Sequence, residues 1–233
     1  MLRTCQLAET LFLALPLPLS KLVHSLARAT LFKDSRTSHF DRVFRGVAAA
    51  KLEGDYLEFG VYRGSSFTNS YRLAQKHGLT SMRFFAFDSF RGLPHGEEGK
   101  FGANMYSCSK QRFVTMIRKA GVDLNKVHIV EGFYEDSLTE QAKRASGIER
   151  AAVVHLDCDL YASTAAALDF VSDWIDEGSV VIFDDWKTFE GSDGHGQSGA
   201  FKHWRLSSRF QEIYDAGHSG KAFICTKPVR TAA

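Results

Sequence analysis

The sequence has little of what marks several large classes of protein. It holds only four prolines among 233 residues and no low-complexity tract, which excludes extended disorder and collagen-like repetition. Its four cysteines, Cys5, Cys108, Cys158 and Cys225, form no C-x-x-C pair and are too sparse for the disulfide framework of a small secreted domain. Reduced thiols and a cytoplasmic location are therefore predicted.

Long apolar runs and blocks of one charge are also missing. The stretch Leu11–Leu19 is nine residues long and contains Pro16 and Pro18, whereas a membrane span needs roughly 20 residues. Lysine and arginine number 29 against 27 acidic residues, for a net charge of +2, and no basic block provides a footprint for a nucleic acid backbone. We therefore expect no membrane span, no nucleic acid partner and a small-molecule substrate.

What the sequence does contain is a regular alternation of short apolar segments with helix-length stretches. Such alternation predicts a Rossmann-like α/β fold, with a mostly parallel seven-stranded sheet covered by helices on both faces. Phe210–Tyr214 and Lys221–Thr226 flank a turn-rich link and predict a C-terminal antiparallel hairpin. The five other predicted strands are Tyr56–Val61, Arg83–Phe87, Val127–Val130, Ala151–Leu156 and Ser179–Phe183.

The first 50 residues have helical composition, and we interpret residues 1–50 as a helical extension or lid on a main domain at 51–233. An apolar stripe on this extension is typical of packing, and self-association is expected; the stripe comprises Leu22, Val23, Leu26, Ala27 and Leu31. In the main domain, Ser109 and Gly121 bound one predicted helix. Ser163 or Thr164 is the predicted N-cap of another helix, which stops at Gly178.

Ligands of parallel sheets bind beyond the carboxyl ends of the strands. The first strand ends in a G-x-x-x-G turn formed by Gly60 and Gly64, with Ser65 or Ser66 able to cap the next helix. This spacing fits neither the G-x-G-x-x-G dinucleotide motif nor the P-loop. Glu58 would repel phosphate and suits a cationic ligand, although a plain strand–helix turn explains the glycines equally well.

The second strand ends at Asp88, about 25 to 30 residues beyond Gly60. A carboxylate at this position holds the ribose diol in nucleoside-binding sheets. Phe90 could offer a flat apolar face to adenine, and ordinary packing is the alternative.

The densest chemical signal lies at the fourth and fifth strand ends, where Asp157 and the pair Asp184–Asp185 follow apolar runs 27 residues apart. Neighbouring parallel strands would bring these carboxylates together, and carboxylates repel one another unless one is protonated or a cation lies among them. Hard oxygen ligands favour Mg²⁺. Helix capping is the competing interpretation, with Asp159 as a cap. His155 and Cys158 could indicate zinc, but strand alternation favours a place in the core.

Five segments in this order resemble the macrocin O-methyltransferase (TylF-like) family of class I S-adenosylmethionine (SAM) dependent methyltransferases. They are EFGVYRGSS, FDSFRGLP, GFYEDSL, LDCDLYAST and FDDW, and the resemblance covers roughly residues 50 to 227. It implies that Asp157, Asp184 and Asp185 hold Mg²⁺ and that Asp157 is also the catalytic base. It implies a cofactor site formed by Glu58, Gly60, Val61, Gly64, Ser65, Ser66, Asp88, Ser89, Phe90, Gly132, Phe133 and Tyr134.

The predicted function is therefore a Mg²⁺-assisted, SAM-dependent O-methyltransferase acting on a hydroxyl of a sugar or other diol, in a small molecule or a glycan. His195 and His203 are alternative bases. An NAD(P)-dependent oxidoreductase would use the same type of sheet, but the missing G-x-G-x-x-G argues against it. A non-catalytic module that binds SAM or a metal is the third hypothesis.

Overall fold

The structure is a computed structural model, and it describes residues 36–94, 102–189, 194–215 and 220–227. In the described residues, seven strands form one sheet in the order β3-β2-β1-β4-β5-β7-β6, in which β7 runs in the opposite direction to the other six. The Rossmann-like class and the C-terminal hairpin are thus confirmed. The strands are β1 Asp55–Phe59, β2 Phe84–Asp88, β3 Val127–Glu131, β4 Ala151–Leu156, β5 Val180–Phe183, β6 Phe210–Asp215 and β7 Lys221–Cys225.

Helices follow most strands and cover both faces of the sheet. They are α1 Arg36–Ala49, α2 Ser65–Lys76, α3 Lys110–Lys119, α4 Tyr134–Ser137, α5 Glu140–Ser146, α6 Tyr161–Val171 and α7 Gly196–His203. Within the described ranges, no helix is both long enough and apolar enough to cross a membrane.

The register of the central strands decides where the functional residues meet. Phe59 of β1 pairs with Leu156 of β4, and Leu156 pairs in turn with Phe183 of β5. All three strands are parallel and end at this level. The residues that follow them, Gly60 and Asp157 among them, therefore emerge side by side at one edge of the sheet.

The sheet separates two hydrophobic cores, because alternate side chains of a strand point to opposite faces. Tyr56 of β1 packs on one face with Phe67 of α2. Leu57 lies on the other face, in the core that includes Leu168 of α6. The central strands are buried along their whole length and are mostly apolar, because both of their faces are covered.

Part of the predicted extension belongs to the first of these cores. Phe44 and Val47 of α1 are completely buried there, and the Phe44 ring lies 5.8 Å from that of Tyr56. The separate extension at 1–50 remains a prediction, since residues 1–35 lie outside the described ranges. Leu11–Leu19 and the apolar stripe between Leu22 and Leu31 fall within that part.

The sequence predicted the N-cap of α3 correctly and both ends of α6 wrongly. Ser109 caps α3 as predicted and accepts a hydrogen bond from the Arg112 N–H. The predicted cap of α6 at Ser163 or Thr164 is wrong, because α6 begins at Tyr161 and has no side-chain cap. Asp159 adopts a left-handed conformation with φ 58°, which turns the chain into the helix before Ser163 is reached. The predicted stop at Gly178 is also too late, since α6 ends at Val171.

The glycine-rich segment Glu190–Gly199 is only partly described, because residues 190–193 lie outside the described ranges. Its second half is the start of α7 rather than a loop. Gly196 has φ +55°, and a Cβ at this position would lie 2.6 Å from the Phe189 ring. Close packing against Phe189 is therefore one physical reason for a glycine here.

Candidate active site

A cavity of about 490 Å³ opens at the carboxyl ends of the central strands, where ligands of such sheets bind. The tips of β1 to β5 and the start of α6 contribute to its wall. One end is formed largely by backbone and neutral side chains, and the other by carboxylates. The residues that carry the argument below are Gly60, Asp88, Ser89, Gly132, Phe133, Tyr134, Asp157, Asp184 and Asp185.

The acidic end contains the three carboxylates predicted as metal ligands. One oxygen from each of Asp157, Asp184 and Asp185 lies within 4.8 Å of the other two, and the side chains are partly buried. Burial, followed by the charge of Asp184, raises the pKa of Asp157 well above its usual value. Three oxygen ligands at this separation fit a hard divalent cation, whose charge would relieve that repulsion.

Glycine at position 60 allows the first and fourth strand tips to approach. Gly60 has φ +86°, and a Cβ on it would lie 2.0 Å from the Asp157 carbonyl oxygen. The Asp157 N–H donates to the Phe59 carbonyl at 2.9 Å, which holds the two tips together. The backbone carrying Asp157 therefore lies against the predicted cofactor loop with no space for a side chain between them.

Glu58 lies beneath the cavity and is completely buried. It accepts hydrogen bonds from the hydroxyls of Tyr56 and Ser66, the second at 2.5 Å, and one of its oxygens lies 3.7 Å from His155 Nδ1. Burial lowers the pKa of His155, but the nearby Glu58 outweighs it, and the result is a pKa of about 9. Glu58 is thus compensated from within the protein and is not among the residues that line the cavity.

The end of the cavity opposite the acidic group is the predicted cofactor end. Asp88 organises this end through backbone hydrogen bonds. Its Oδ2 accepts the N–H groups of Val61 at 2.8 Å and Tyr62 at 3.1 Å, and its Oδ1 accepts the Phe90 N–H at 2.7 Å. Burial raises the pKa of Asp88, although these three bonds act in the opposite direction. The carboxylate therefore ties the turn after β1 to the end of β2.

The turn after β3 completes this end. The Gly132 N–H donates to the Asp88 carbonyl at 3.0 Å, so the turn is attached to β2. The Tyr134 hydroxyl donates to the Phe87 carbonyl at 3.3 Å, and the Tyr134 ring packs edge-on against Phe59 at 5.8 Å. These contacts hold Phe133 and Tyr134 at the rim of the cavity beside Ser89.

Six of the predicted cofactor residues line the cavity, and the other six are not among its lining residues. Phe90 is buried 5.6 Å from the Phe113 ring, as its packing alternative predicted. A Cβ on Gly64 would collide with the same core. Ser65 and Ser66 do not cap α2, whose N-cap is Gly64 without a side-chain bond. Cofactor contact remains a prediction for all twelve residues, including the six outside the lining: Glu58, Val61, Gly64, Ser65, Ser66 and Phe90.

His155 and Cys158 are core residues, in agreement with the preferred interpretation. Burial raises the pKa of the Cys158 thiol far above its normal value, which does not suit a metal ligand. His203 Nδ1 lies 3.1 Å from the Tyr161 hydroxyl, and neither His195 nor His203 belongs to the cavity lining. Asp159 does not cap α6, because no side chain does so.

Sequence reasoning missed two features of the site. Tyr106 lines the cavity with φ 58° and 50% exposure, in a loop without periodicity. Gln197 is completely buried and bonded to both acidic strand tips. The only available signal was the unusual glycine-rich segment that contains Gln197.

Comparison with known proteins agrees with this architecture. The profile of the macrocin O-methyltransferase (TylF) family matches residues 24–207, which is most of the chain. A sheet of this order with a reversed seventh strand defines the class I methyltransferase fold, and the O-methyltransferase NovP shares it with a TM-score of 0.69 and 22% identity over 82% of this chain and 80% of that chain. The chain belongs to the macrocin O-methyltransferase family, as its sequence motifs predicted.

Two relatives with assigned activities are also similar. One is the 8-demethyl-8-(2,3-dimethoxy-alpha-L-rhamnosyl)-tetracenomycin-C 4'-O-methyltransferase of Streptomyces olivaceus, 28% identical over 60% of this chain and 56% of that protein. The other is the demethyldecarbamoylnovobiocin O-methyltransferase of Streptomyces niveus, 25% identical over 67% of this chain and 62% of that protein. The chain thus spans less than two thirds of the length of these relatives.

Proposed function

We propose that this protein is a SAM-dependent O-methyltransferase that uses a divalent cation, Mg²⁺, to methylate a hydroxyl of a sugar or related diol. The observation that carries the proposal is the convergence of Asp157, Asp184 and Asp185, with oxygens within 4.8 Å, in the same cavity as Asp88 and the turn after β3. A cation site and a nucleoside site that share one cavity are what this reaction requires.

The cofactor end supports SAM binding through its residue types. Asp88 lies at the second strand tip, where a carboxylate accepts hydrogen bonds from ribose hydroxyls. Phe133 and Tyr134 provide apolar surface for a base, and Ser89 lies beside them in the cavity wall. SAM supplies a methyl group already activated on a sulfonium, so the chain's main task is to align a nucleophile with it.

The acidic end supplies the activation that a sugar hydroxyl, a poor nucleophile near neutral pH, needs for methyl transfer. A bound divalent cation lowers the pKa of a hydroxyl that coordinates it. Asp157, Asp184 and Asp185 would hold that cation. Asp157 would also be the base that takes the hydroxyl proton, the role that the family resemblance implies for it, since its carboxylate lies in the same cavity as the predicted cofactor residues.

A vicinal diol is the favoured acceptor, because two neighbouring oxygens can occupy adjacent positions on one cation. The relatives support a sugar or antibiotic acceptor by their named activities. NAD(P)-dependent oxidation is not favoured, because the chain belongs to a methyltransferase family and the turn after β1 lacks the dinucleotide motif. Self-association and a cytoplasmic location remain predictions.

The decisive experiment measures ligand binding and methyl transfer in parallel. Calorimetry with S-adenosylhomocysteine, NADH and Mg²⁺ should show binding of the first and the last, with Mg²⁺ binding abolished in Asp157→Asn. Transfer of labelled methyl from SAM to rhamnosides and to simple vicinal diols should stop with EDTA. In Asp157→Asn we expect a loss of about 10³-fold, the range for removing a positioned base.

Asp169→Asn on the exposed side of α6 is the matched control and should behave as wild type. Activity of Asp157→Asn near the wild-type level in EDTA would refute the metal and base roles. Binding of S-adenosylhomocysteine without transfer to any diol would favour the non-catalytic module instead.

A further inference from the structure

The side chain of Gln197 connects the two strand tips that carry the acidic group. Gln197 is completely buried in the first turn of α7. Its Oε1 accepts the Asp185 N–H at 2.9 Å, and its Nε2 donates to the Leu156 carbonyl at 3.0 Å. Leu156 is the last residue of β4, immediately before Asp157.

These two bonds extend the sheet beyond its last backbone rung. The final β4–β5 rung is the bond from the Asp184 N–H to the Leu156 carbonyl at 3.0 Å. Beyond it the strands end, and the side-chain amide of Gln197 provides a donor and an acceptor in one planar group, as a peptide would. The separation of the backbones bearing Asp157 and Asp185 is thereby set by a third element, helix α7.

We propose that Gln197 is a positioning residue that holds the three carboxylates at the spacing required for a divalent cation. The inference rests on the proposed function, since it concerns the same cation. Few other side chains could take this role: a hydrocarbon would remove the acceptor of the Asp185 N–H and the second donor to the Leu156 carbonyl, and a shorter amide could not reach both.

Gln197→Met and Gln197→Asn test separately whether the role needs the hydrogen bonds and whether it needs the length of the side chain. Methionine has similar length without hydrogen bonds, whereas asparagine keeps the amide but is one methylene shorter. Ser198→Ala, at the buried neighbouring position, is the matched control. Mn²⁺ binding followed by electron paramagnetic resonance, and S-adenosylhomocysteine binding followed by calorimetry, provide readouts that do not depend on turnover.

We expect both Gln197 variants to bind Mn²⁺ at least tenfold more weakly, because outer-shell partners of metal ligands typically contribute 10- to 100-fold. S-adenosylhomocysteine affinity should stay within about twofold, since Gln197 contacts neither β1 nor β2 by hydrogen bond. Methyl transfer should be rescued in part by excess Mg²⁺, and Ser198→Ala should resemble wild type.

Unchanged Mn²⁺ affinity in Gln197→Asn would overturn the positioning role. So would a parallel loss of Mn²⁺ affinity, S-adenosylhomocysteine affinity and melting temperature, which would indicate a purely structural role. If the wild-type protein itself binds no Mn²⁺ or Mg²⁺, the proposed function fails first and the inference fails with it. The wild-type titration therefore distinguishes the two failures.

Discussion

The two ends of the cavity differ in how the charges of their carboxylates are offset. At the cofactor end, the charge of Asp88 is matched by three backbone N–H groups, and Glu58 below it is matched by two hydroxyls and His155. At the acidic end, burial and the charge of Asp184 raise the pKa of Asp157. The charges at the first end are offset within the folded chain, whereas at the other end the proposed cation would offset the repulsion.

Carboxylates in two different settings therefore lie along one edge of the sheet. A carboxylate whose charge is offset by hydrogen bonds adds to the rigidity of a turn and can also accept hydroxyl donors. A group of mutually repelling carboxylates costs stability in the free protein, and the proposed cation would recover it on binding, as is common where a site is prepared for a ligand. Three substitutions test this comparison, in order of expected effect. The first changes the contact between β1 and β4, which affects both ends of the cavity, and the other two each change one end.

Gly60→Ala should disturb both ends at once. The added Cβ would lie 2.0 Å from the Asp157 carbonyl oxygen on a backbone with φ +86°. We expect the free energy of unfolding to fall by about 3 kcal/mol, from strain and overpacking, with loss of both Mg²⁺ and S-adenosylhomocysteine binding. Urea denaturation and calorimetry measure these effects.

Gly78→Ala is the control for backbone strain alone. Gly78 has φ +78°, but an added Cβ would meet no atom within 4 Å. This variant should lose only about 1 kcal/mol and keep both ligands. Equal stability of the two variants would show that the close approach of β1 and β4 is unimportant.

Asp88→Asn should affect only the cofactor end. Asparagine has one acceptor oxygen and would present an amide N–H to a backbone donor, so at least one of the three bonds held by Asp88 is lost. We expect S-adenosylhomocysteine affinity to fall by about 10- to 100-fold, the worth of hydrogen bonds to a charged group, while Mg²⁺ affinity stays unchanged.

Asp123→Asn is the matched control for this substitution, because Asp123 also accepts a backbone N–H in a loop but is absent from the cavity lining. It should leave both affinities at the wild-type level. A parallel fall of Mg²⁺ affinity in Asp88→Asn would mean that the two ends are not independent.

Of the three substitutions, Asp184→Asn should have the smallest effect. In the absence of metal it should raise the stability of the protein, whereas the other two substitutions weaken stability or binding. Without metal, removing this charge relieves the repulsion that raises the pKa of Asp157. A carboxyl group whose pKa is raised by folding contributes stability below its normal pKa and loses it as the pH rises through the raised value. At pH 8 the metal-free variant should therefore be about 1 kcal/mol more stable than wild type.

Thermal melts between pH 5 and pH 8 test this expectation. The advantage of the variant should grow as the pH rises and should reverse when Mg²⁺ stabilises only the wild type. An Asp184→Asn protein that is less stable than wild type at every pH, with or without Mg²⁺, would contradict a repulsive acidic end.

The strands were predictable because a segment covered on both faces is predominantly apolar. β4 was predicted with its observed bounds, and the other strands within about two residues. The meeting of Asp157 with Asp184 and Asp185 followed from the same pattern, because parallel neighbours end at the same edge.

The start of α6 was not predictable in this way. It depends on the left-handed conformation of Asp159, a local choice that the periodicity of apolar residues does not report. The compensation of Glu58 by His155 could not be predicted either, since it joins residues of two strands far apart in the chain.

The order of apolar and polar residues was sufficient for the fold class and the acidic strand tips, because these depend on which side chains must leave water and on the repeat of each element. The family followed instead from the resemblance of five short motifs in their order along the chain. The compensation of each charge came only partly from near neighbours in the chain, such as Tyr56 for Glu58 and Phe90 for Asp88. The other partners, His155 for Glu58 and the N–H groups of Val61 and Tyr62 for Asp88, belong to distant segments. The acidic tips are bonded to Gln197 of a helix that the sequence pattern did not predict. Hydrogen bonds act over about 3 Å in space, and no spacing along the chain specifies which distant groups will come that close.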